Sequence, residues 1–255
     1  MIIINKWSGF LGNNIKQIIN AIHIALVYKH NIRIPKHTFF NTNYINISPI
    51  TNNINIVDKD NFYYREKINV SKNVFETNHY KVIEILRNIF VIKNISELPK
   101  YDVVIHIRSG DIFNNKPHPD YIVPPLSYYT NIIDDNLFHK NKNIIIIAEN
   151  TKNPTVNKLL ELYPKIQYKQ QQLSEDIKIL LGANIVIESF GTFTNQLLKL
   201  SYNIKHIFSP SYQFNFIKKY IPYNIDITII NLDNYRNQMY PWKNTSQQNQ
   251  LILNF

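Results

Sequence analysis

The stretch Asp102-Val103-Val104-Ile105-His106-Ile107-Arg108-Ser109-Gly110-Asp111 decides the fold. A nearly continuous β-branched run ends in polar residues around a glycine, the pattern of a strand buried on both faces of a parallel sheet. Working outward, residues 143–148 and 184–188 repeat it. Helical periodicity fills the intervals at 155–163, at 174–181, where Ser174-Glu175-Asp176 reads as a helix start, and at 192–202. Residues 205–208 read as a fourth strand stopped by Pro210. The alternation predicts an α/β, doubly wound sheet, and such sheets bind ligands beyond the carboxyl ends of their strands.

The first part of the chain carries a shorter version of the same signal. Residues 2–5 and 32–34 read as strands around a helix at 14–29, where Ile15, Ile18, Ile19, Ile22 and Leu26 recur at helical spacing. Residues 38–76 are rich in Asn and aromatics with a strand-like piece at 54–57, residues 80–91 read as a helix, and Pro99 closes this half. The expected division is 1–98 and 99–255. Beyond Tyr212 one strand, 226–230, can be read, and the rest of the tail is unassigned.

Composition narrows the class. With 255 residues, 44% hydrophobic and 13% aromatic, the chain can bury a substantial core. The aliphatic run 144–148 is too short for a membrane span, and Ile2 to Ile4 are followed directly by polar residues, so no secretory leader is read. With no cysteine, disulfides and thiolate metal sites are excluded, and a cytoplasmic location is expected. The net charge of +10 suits anionic ligands, but no dense basic block interleaved with aromatics marks a nucleic-acid surface. Nucleic acid is not an expected partner.

Ile, Asn and Lys are heavily used, as from AT-rich coding, so the scarce residues with GC-rich codons become informative. The five glycines are Gly9, Gly12, Gly110, Gly182 and Gly191. Four fall in predicted strand-to-helix loops on the functional edge, where backbone N–H groups at helix starts hold phosphate; Gly182 reads as a helix C-cap. Arginines are equally scarce. Arg108 stands on that edge, where a planar guanidinium bridges two phosphate oxygens and neutralises charge. Pairing with Asp111 is the structural alternative, and the two roles are compatible.

These residues also carry a resemblance. The 104–111 segment resembles the His-x-Arg-x-Gly-Asp strand-end motif of the fucosyltransferase superfamily. Ser8-Gly9-Phe10-Leu11-Gly12-Asn13-Asn14 is similar to that family's N-terminal Gly-Gly-Leu-Gly-Asn turn, with Ser in place of the first Gly. Ser174-Glu175-Asp176, followed by Val186-Ile187-Glu188-Ser189-Phe190-Gly191-Thr192-Phe193, is similar to its late motif. The likeness implies a GT-B architecture of two Rossmann-like domains facing across a cleft. It implies inverting, metal-independent transfer from a GDP-sugar, GDP-fucose being the best donor guess, to a carbohydrate or other hydroxyl acceptor. By the same resemblance Arg108 binds the diphosphate and His106 lies near the nucleotide. Asp176 or Glu175 reads the guanosine, and Ser189, Phe190, Gly191, Thr192 and Phe193 wrap base and phosphates. Asn13 reaches the donor or acceptor from the facing domain, and Gly12 is a donor-binding candidate.

Such a site would stabilise charge on the leaving diphosphate most in the transition state. The base for the attacking hydroxyl is left open. Asp111 is near but is a weak base if paired with Arg108, and Glu149 and His118 are its rivals. Asp58-Lys59-Asp60 has the letters of a metal-binding Asp-x-Asp, but its neighbours read as a polar turn, and no metal is expected. Phe62-Tyr63-Tyr64 is read as core, with an acceptor groove as the alternative. Another nucleotide sugar, or a binding module without turnover, are the alternative functions.

Overall fold

A computed structural model of the chain describes residues 1–48, 56–57, 62, 79–92, 98–136, 138–213 and 225–255. The Asp58-Lys59-Asp60 turn and the residues Tyr63 and Tyr64 lie outside the described residues. The chain divides into two units, Met1–Ile95 and Ser96–Phe255.

In the N-terminal unit, the adjacent isoleucines of β1 (Ile2–Ile3) pair in parallel with β2 (Ile32–Arg33) and β4 (Ile56–Val57). A short β3 (Tyr44–Ile45), not anticipated from the sequence, joins β2 antiparallel, giving the order β3-β2-β1-β4. Helix α1 (Leu11–Tyr28) buries Ile15, Ile18 and Ile22 completely, one stripe at three- and four-residue spacing. It ends at Lys29, which takes a left-handed conformation and returns its N–H to Ala25. Helix α2 (His79–Ile89) packs Val82, Ile83 and Leu86 inward and lies against α1.

Here one expectation is corrected. Phe10 is the extended residue before α1 and its carbonyl already accepts from Asn13 and Asn14. Gly12 therefore sits inside the first helical turn, and Gly9, with φ 63°, is the glycine of the preceding loop.

The C-terminal unit is a six-stranded sheet of β5 (Val103–His106), β6 (Ile144–Ile147), β7 (Gln167–Tyr168), β8 (Ile185–Ile187), β9 (His206–Pro210) and β10 (Asp226–Ile230). All neighbours are parallel, in the order β10-β9-β8-β5-β6-β7. Numbered from β5 as its first strand, this is the Rossmann order, and the connections reverse direction between β5 and β8. Parallel neighbours need crossovers, supplied by α3 (Leu126–Asp135), the single turn α4 (Phe138–Asn141), α5 (Pro154–Leu162), α6 (Leu173–Gly182) and α7 (Thr192–Leu198). One core layer joins Ile105, Ile107, Ile146 and Ile187 of the sheet to Tyr129 and Ile133 of α3 and Val156 and Leu159 of α5. Each aliphatic side chain buried there contributes about 1.5–3 kcal/mol against exposure.

Helix α3 was hidden in the sequence because it opens behind Pro124-Pro125 and uses two tyrosines as core residues. Tyr128 does more than pack, since its hydroxyl lies 3.0 Å from the carbonyls of both Glu188 and Phe208. Other boundaries shift. Helix α6 begins at Leu173, placing Ser174 inside its first turn, and α7 stops at Leu198, where expectation carried it to residue 202. Gly182 is not a left-handed cap; the next residue, Ala183, is extended. A Cβ at 182 would lie 2.3 Å from the Pro99 carbonyl oxygen, so close packing excludes a side chain there. The unassigned tail forms α8 (Asp233–Met239) and α9 (Ser246–Asn254), the latter opened by a capping box between Thr245 and Gln248.

Candidate functional site

The β5–β8 crevice is where a sheet of this order presents its loops to a ligand. Strand β5 delivers His106 and, two residues on, Arg108; the continuation of β8 delivers Glu188 and residues 189–193. Both chains turn sharply, at Gly110 with φ 75° and Gly191 with φ 124°. Space also restricts position 110, because a Cβ there would lie 1.9 Å from Oε2 of Glu149.

The Arg108 guanidinium is held on three sides. Nη2 donates to Asp111 Oδ1 at 2.7 Å, Cζ lies 5.7 Å from the centre of the Tyr121 ring, and Nη1 is 3.7 Å from where a Gly191 Cβ would be. With the side chains 22% and 40% exposed, the Arg108–Asp111 pair is worth at most about 1 kcal/mol of stability. Its effect is orientation: one edge of the guanidinium is taken, and the other faces the glycine. Behind it, Asn153 Nδ2 donates to the Arg108 carbonyl at 2.9 Å while its Oδ1 caps α5 at Thr155 N. Ser109 Oγ donates to Asn150 Oδ1 at 2.7 Å and accepts from Asn153 N at 3.1 Å. The loop after β6 thereby pins the loop after β5.

His106 is buried with its ring 5.6 Å from that of Phe193. Burial, and secondarily the Arg108 charge, lower its pKa to about 3, so the imidazole is neutral at physiological pH. Across the crevice, rings run from Tyr121 through Phe190 to Tyr212, each pair 6.0 Å apart. Gln213, buried after β9, clasps the Gly191 peptide from both sides. The Gly191 N–H expected to face a phosphate is thus engaged by Gln213 Oε1 at 3.3 Å.

Of the other sequence candidates, Asp176 lies in the first turn of α6, where its Oδ1 accepts from Gln171 Nε2 at 2.8 Å. Burial, and secondarily the neighbouring Glu175, raise its pKa to about 6, and the Gln171 bond opposes this. Glu175 pairs with Lys178 at 2.8 Å. Glu149 and His118 are exposed. His118 lies 4.9 Å from the Tyr121 ring and 3.7 Å from Asp120. Gly12 and Asn13 belong to the start of α1 in the N-terminal unit. Ser189 is buried, and Thr192 opens α7. Among the described residues, no group of three or more His, Asp or Glu is placed to hold a metal ion.

The structure thus brings together His106, Arg108, Asp111, Phe190, Gly191 and Phe193, and adds Tyr121, Asn153 and Gln213, for which sequence reasoning assigned no role. Asn153-Pro154-Thr155 was legible as a helix cap; nothing local marks Gln213.

Strand order and switch-point arginine define a Rossmann-type α/β protein whose loop edge can hold an anion. No family model matches the sequence, and no curated protein matches it. Among solved structures, the E. coli heptosyltransferase WaaC with ADP is similar over 93% of this chain and 98% of that one, with a TM-score of 0.50 and 9% identity. POFUT1 in complex with GDP aligns over 90% of this chain and 98% of that one, with a TM-score of 0.47 and 9% identity. At such identities the likeness is one of fold, and the fold is that of the GT-B proteins.

Proposed function

We propose that the chain is a glycosyltransferase that takes a sugar from a nucleoside diphosphate donor. The observation that carries this reading is the Arg108 guanidinium, set at the switch point of a Rossmann-order sheet and oriented by Asp111 and Tyr121. The ADP held by the heptosyltransferase of like fold supports a nucleoside diphosphate as the ligand class.

In the proposed reaction the acceptor hydroxyl oxygen bonds to the anomeric carbon as the bond from that carbon to the diphosphate oxygen breaks. The diphosphate leaves with the electron pair, and the hydroxyl proton passes to a base or to solvent. Arg108 neutralises charge on the leaving group without a metal. Neutral His106 offers a ring nitrogen to the nucleotide, Phe190 and Phe193 flank the base, and Ser189, Gly191 and Thr192 shape the turn around the phosphates. Asp176 reads the base. Asn13, at the start of α1, is a further candidate for catalysis and Gly12 for donor binding, as the sequence resemblance implies. Asp111, bonded to Arg108, acts by positioning it. Fucose, carried by GDP, is the donor sugar that the three sequence motifs favour.

Incubation with a panel of nucleotide sugars and glycan acceptors tests the reading, with product followed by mass. Turnover of a UDP-sugar but not of a GDP-sugar removes the fucosyl assignment. The engagement of Asp111 by Arg108 and the seat of Glu149 against Gly110 favour a second reading, a nucleotide-sugar-binding module. Nucleotide binding without turnover of any donor would select it.

A further inference from the structure

The turn between α8 and α9, residues 240–245, is tied to the loop that follows β5. Trp242 Nε1 donates to the Ile112 carbonyl at 2.7 Å, and its backbone N–H donates to the Pro119 carbonyl at 2.9 Å. Asn244 Nδ2 donates to the Phe113 carbonyl at 2.8 Å. The indole is 1% exposed, meets the Phe113 ring edge-on at 5.6 Å, and belongs to an apolar cluster with Ile112, Ile122, Val123, Met239 and Ile252.

The turn is rigid in its own right. Gln248 Nε2 donates to the carbonyls of Met239 at 2.8 Å and Pro241 at 2.9 Å, and its Oε1 accepts from Lys243 N at 2.9 Å. Asn244 holds a left-handed conformation, φ 55°, which Asn tolerates better than most residues. A body held by its own hydrogen bonds therefore grips a loop whose backbone bonds are local turns, the 3₁₀ turn Gly110–Phe113 and the turn in which Tyr121 N–H donates to the His118 carbonyl at 3.1 Å.

Where it grips gives the consequence. Asp111, which bonds Arg108, immediately precedes Ile112; Tyr121, whose ring faces the guanidinium, follows Pro119 by two residues. The tail's anchors lie between the two supports of the arginine, the first directly after Asp111 and the last two residues before Tyr121. We infer that Trp242 and Asn244 are positioning residues for the Arg108 guanidinium, so that the C-terminal segment sets the geometry of the diphosphate grip. This rests on the reading of Arg108 given above.

Calorimetric titration of the full chain with GDP, GMP and inorganic pyrophosphate tests it. Trp242→Phe keeps an aromatic ring in the cluster and deletes the indole donor; Asn244→Gly keeps the left-handed backbone and deletes the amide donor. Each variant is expected to weaken GDP and pyrophosphate about tenfold while GMP changes by less than about twofold, because only a second phosphate needs the oriented guanidinium. Combining either with Arg108→Lys should cost less than the product of the single effects, since both act on one contact. Equal losses for GDP and GMP, multiplying effects, or unchanged affinities would overturn the inference. Asn244→Gly, at the surface end of the turn, supplies the same readout if Trp242→Phe fails to fold. Wild-type protein that binds neither GDP nor pyrophosphate sinks the diphosphate reading and this inference together; wild-type binding with unaltered variants sinks the inference alone.

Discussion

Gln213 and Gly191 exchange two hydrogen bonds, Gly191 N–H to Gln213 Oε1 at 3.3 Å and Gln213 Nε2–H to the Gly191 carbonyl at 2.6 Å, so one side chain acts as a strand partner for one residue's backbone. Gln213→Leu keeps the bulk and strands both peptide groups, at about 1–3 kcal/mol for each that stays dry. A lowered Tm with weaker GDP binding is the expected outcome in thermal shift and titration. Full GDP affinity in Gln213→Leu would show that the 189–193 turn needs no such clasp.

Arg108→Lys should lower kcat by about tenfold or more, because a point charge cannot serve Asp111 and two phosphate oxygens in one plane. The check is steady-state transfer with the preferred donor, run beside a circular dichroism spectrum of the variant. Unchanged kinetics in a folded variant would refute the role.

Glu188 is 0% exposed, accepts from Ser209 Oγ at 2.5 Å, and has a pKa raised to about 8 by burial, which the Ser209 bond opposes. A carboxyl whose folded pKa lies above its ordinary 4.5 adds stability in full below that value and loses it as pH rises through 8. Each pH unit in that window costs up to about 1.4 kcal/mol. Glu188→Gln should flatten the fall of Tm between pH 5 and 9, and parallel Tm curves for the two proteins would contradict this.

His106, lowered to about 3, should show no titration near pH 6.5. The stability this depressed pKa contributes is full above 6.5 and falls as pH drops toward 3, while the folded ring itself stays neutral until about 3. Ring proton shifts followed by NMR from pH 5 to 8 should stay constant, and a midpoint near 6.5 would place the ring in a wetter setting.

Gly110→Ala meets two obstacles, a φ of 75° and the Glu149 carboxylate. Unfolding in urea should show a loss of about 1 kcal/mol or more, partly recovered by adding Glu149→Ala, which removes the steric part and leaves the backbone strain. No recovery in the double variant would mean the carboxylate can swing away freely.

The sheet was legible where burial on both faces forces unbroken aliphatic runs, as at Val103–His106 and Ile144–Ile147. It was illegible at Tyr44–Ile45 and Gln167–Tyr168, which lie among polar residues with no aliphatic run to mark them, whereas the equally short Ile2–Ile3 stands in a run of isoleucines. Scarce glycines marked real turns at Gly110 and Gly191, which have positive φ, but scarcity alone did not separate these from Gly12, which is helical, or from Gly182, where the approach of Pro99 excludes a side chain. Arg108 and Asp111 could be paired because they are three apart. Gln213 and Trp242 could not be connected to the site, since their partners lie 22 and 130 residues away. Such contacts are properties of the folded chain.

The reversal of strand order between β5 and β8 means that each wall of the crevice comes from a different contiguous half of the C-terminal sheet. Residues 103–168 supply Arg108, Asp111, Tyr121 and Asn153; residues 173–213 supply Phe190, Gly191, Phe193 and Gln213. The exposed Lys169-Gln170 link lies between them. Scission there would leave two pieces, neither holding a whole crevice, so ligand binding would report directly on their reassociation.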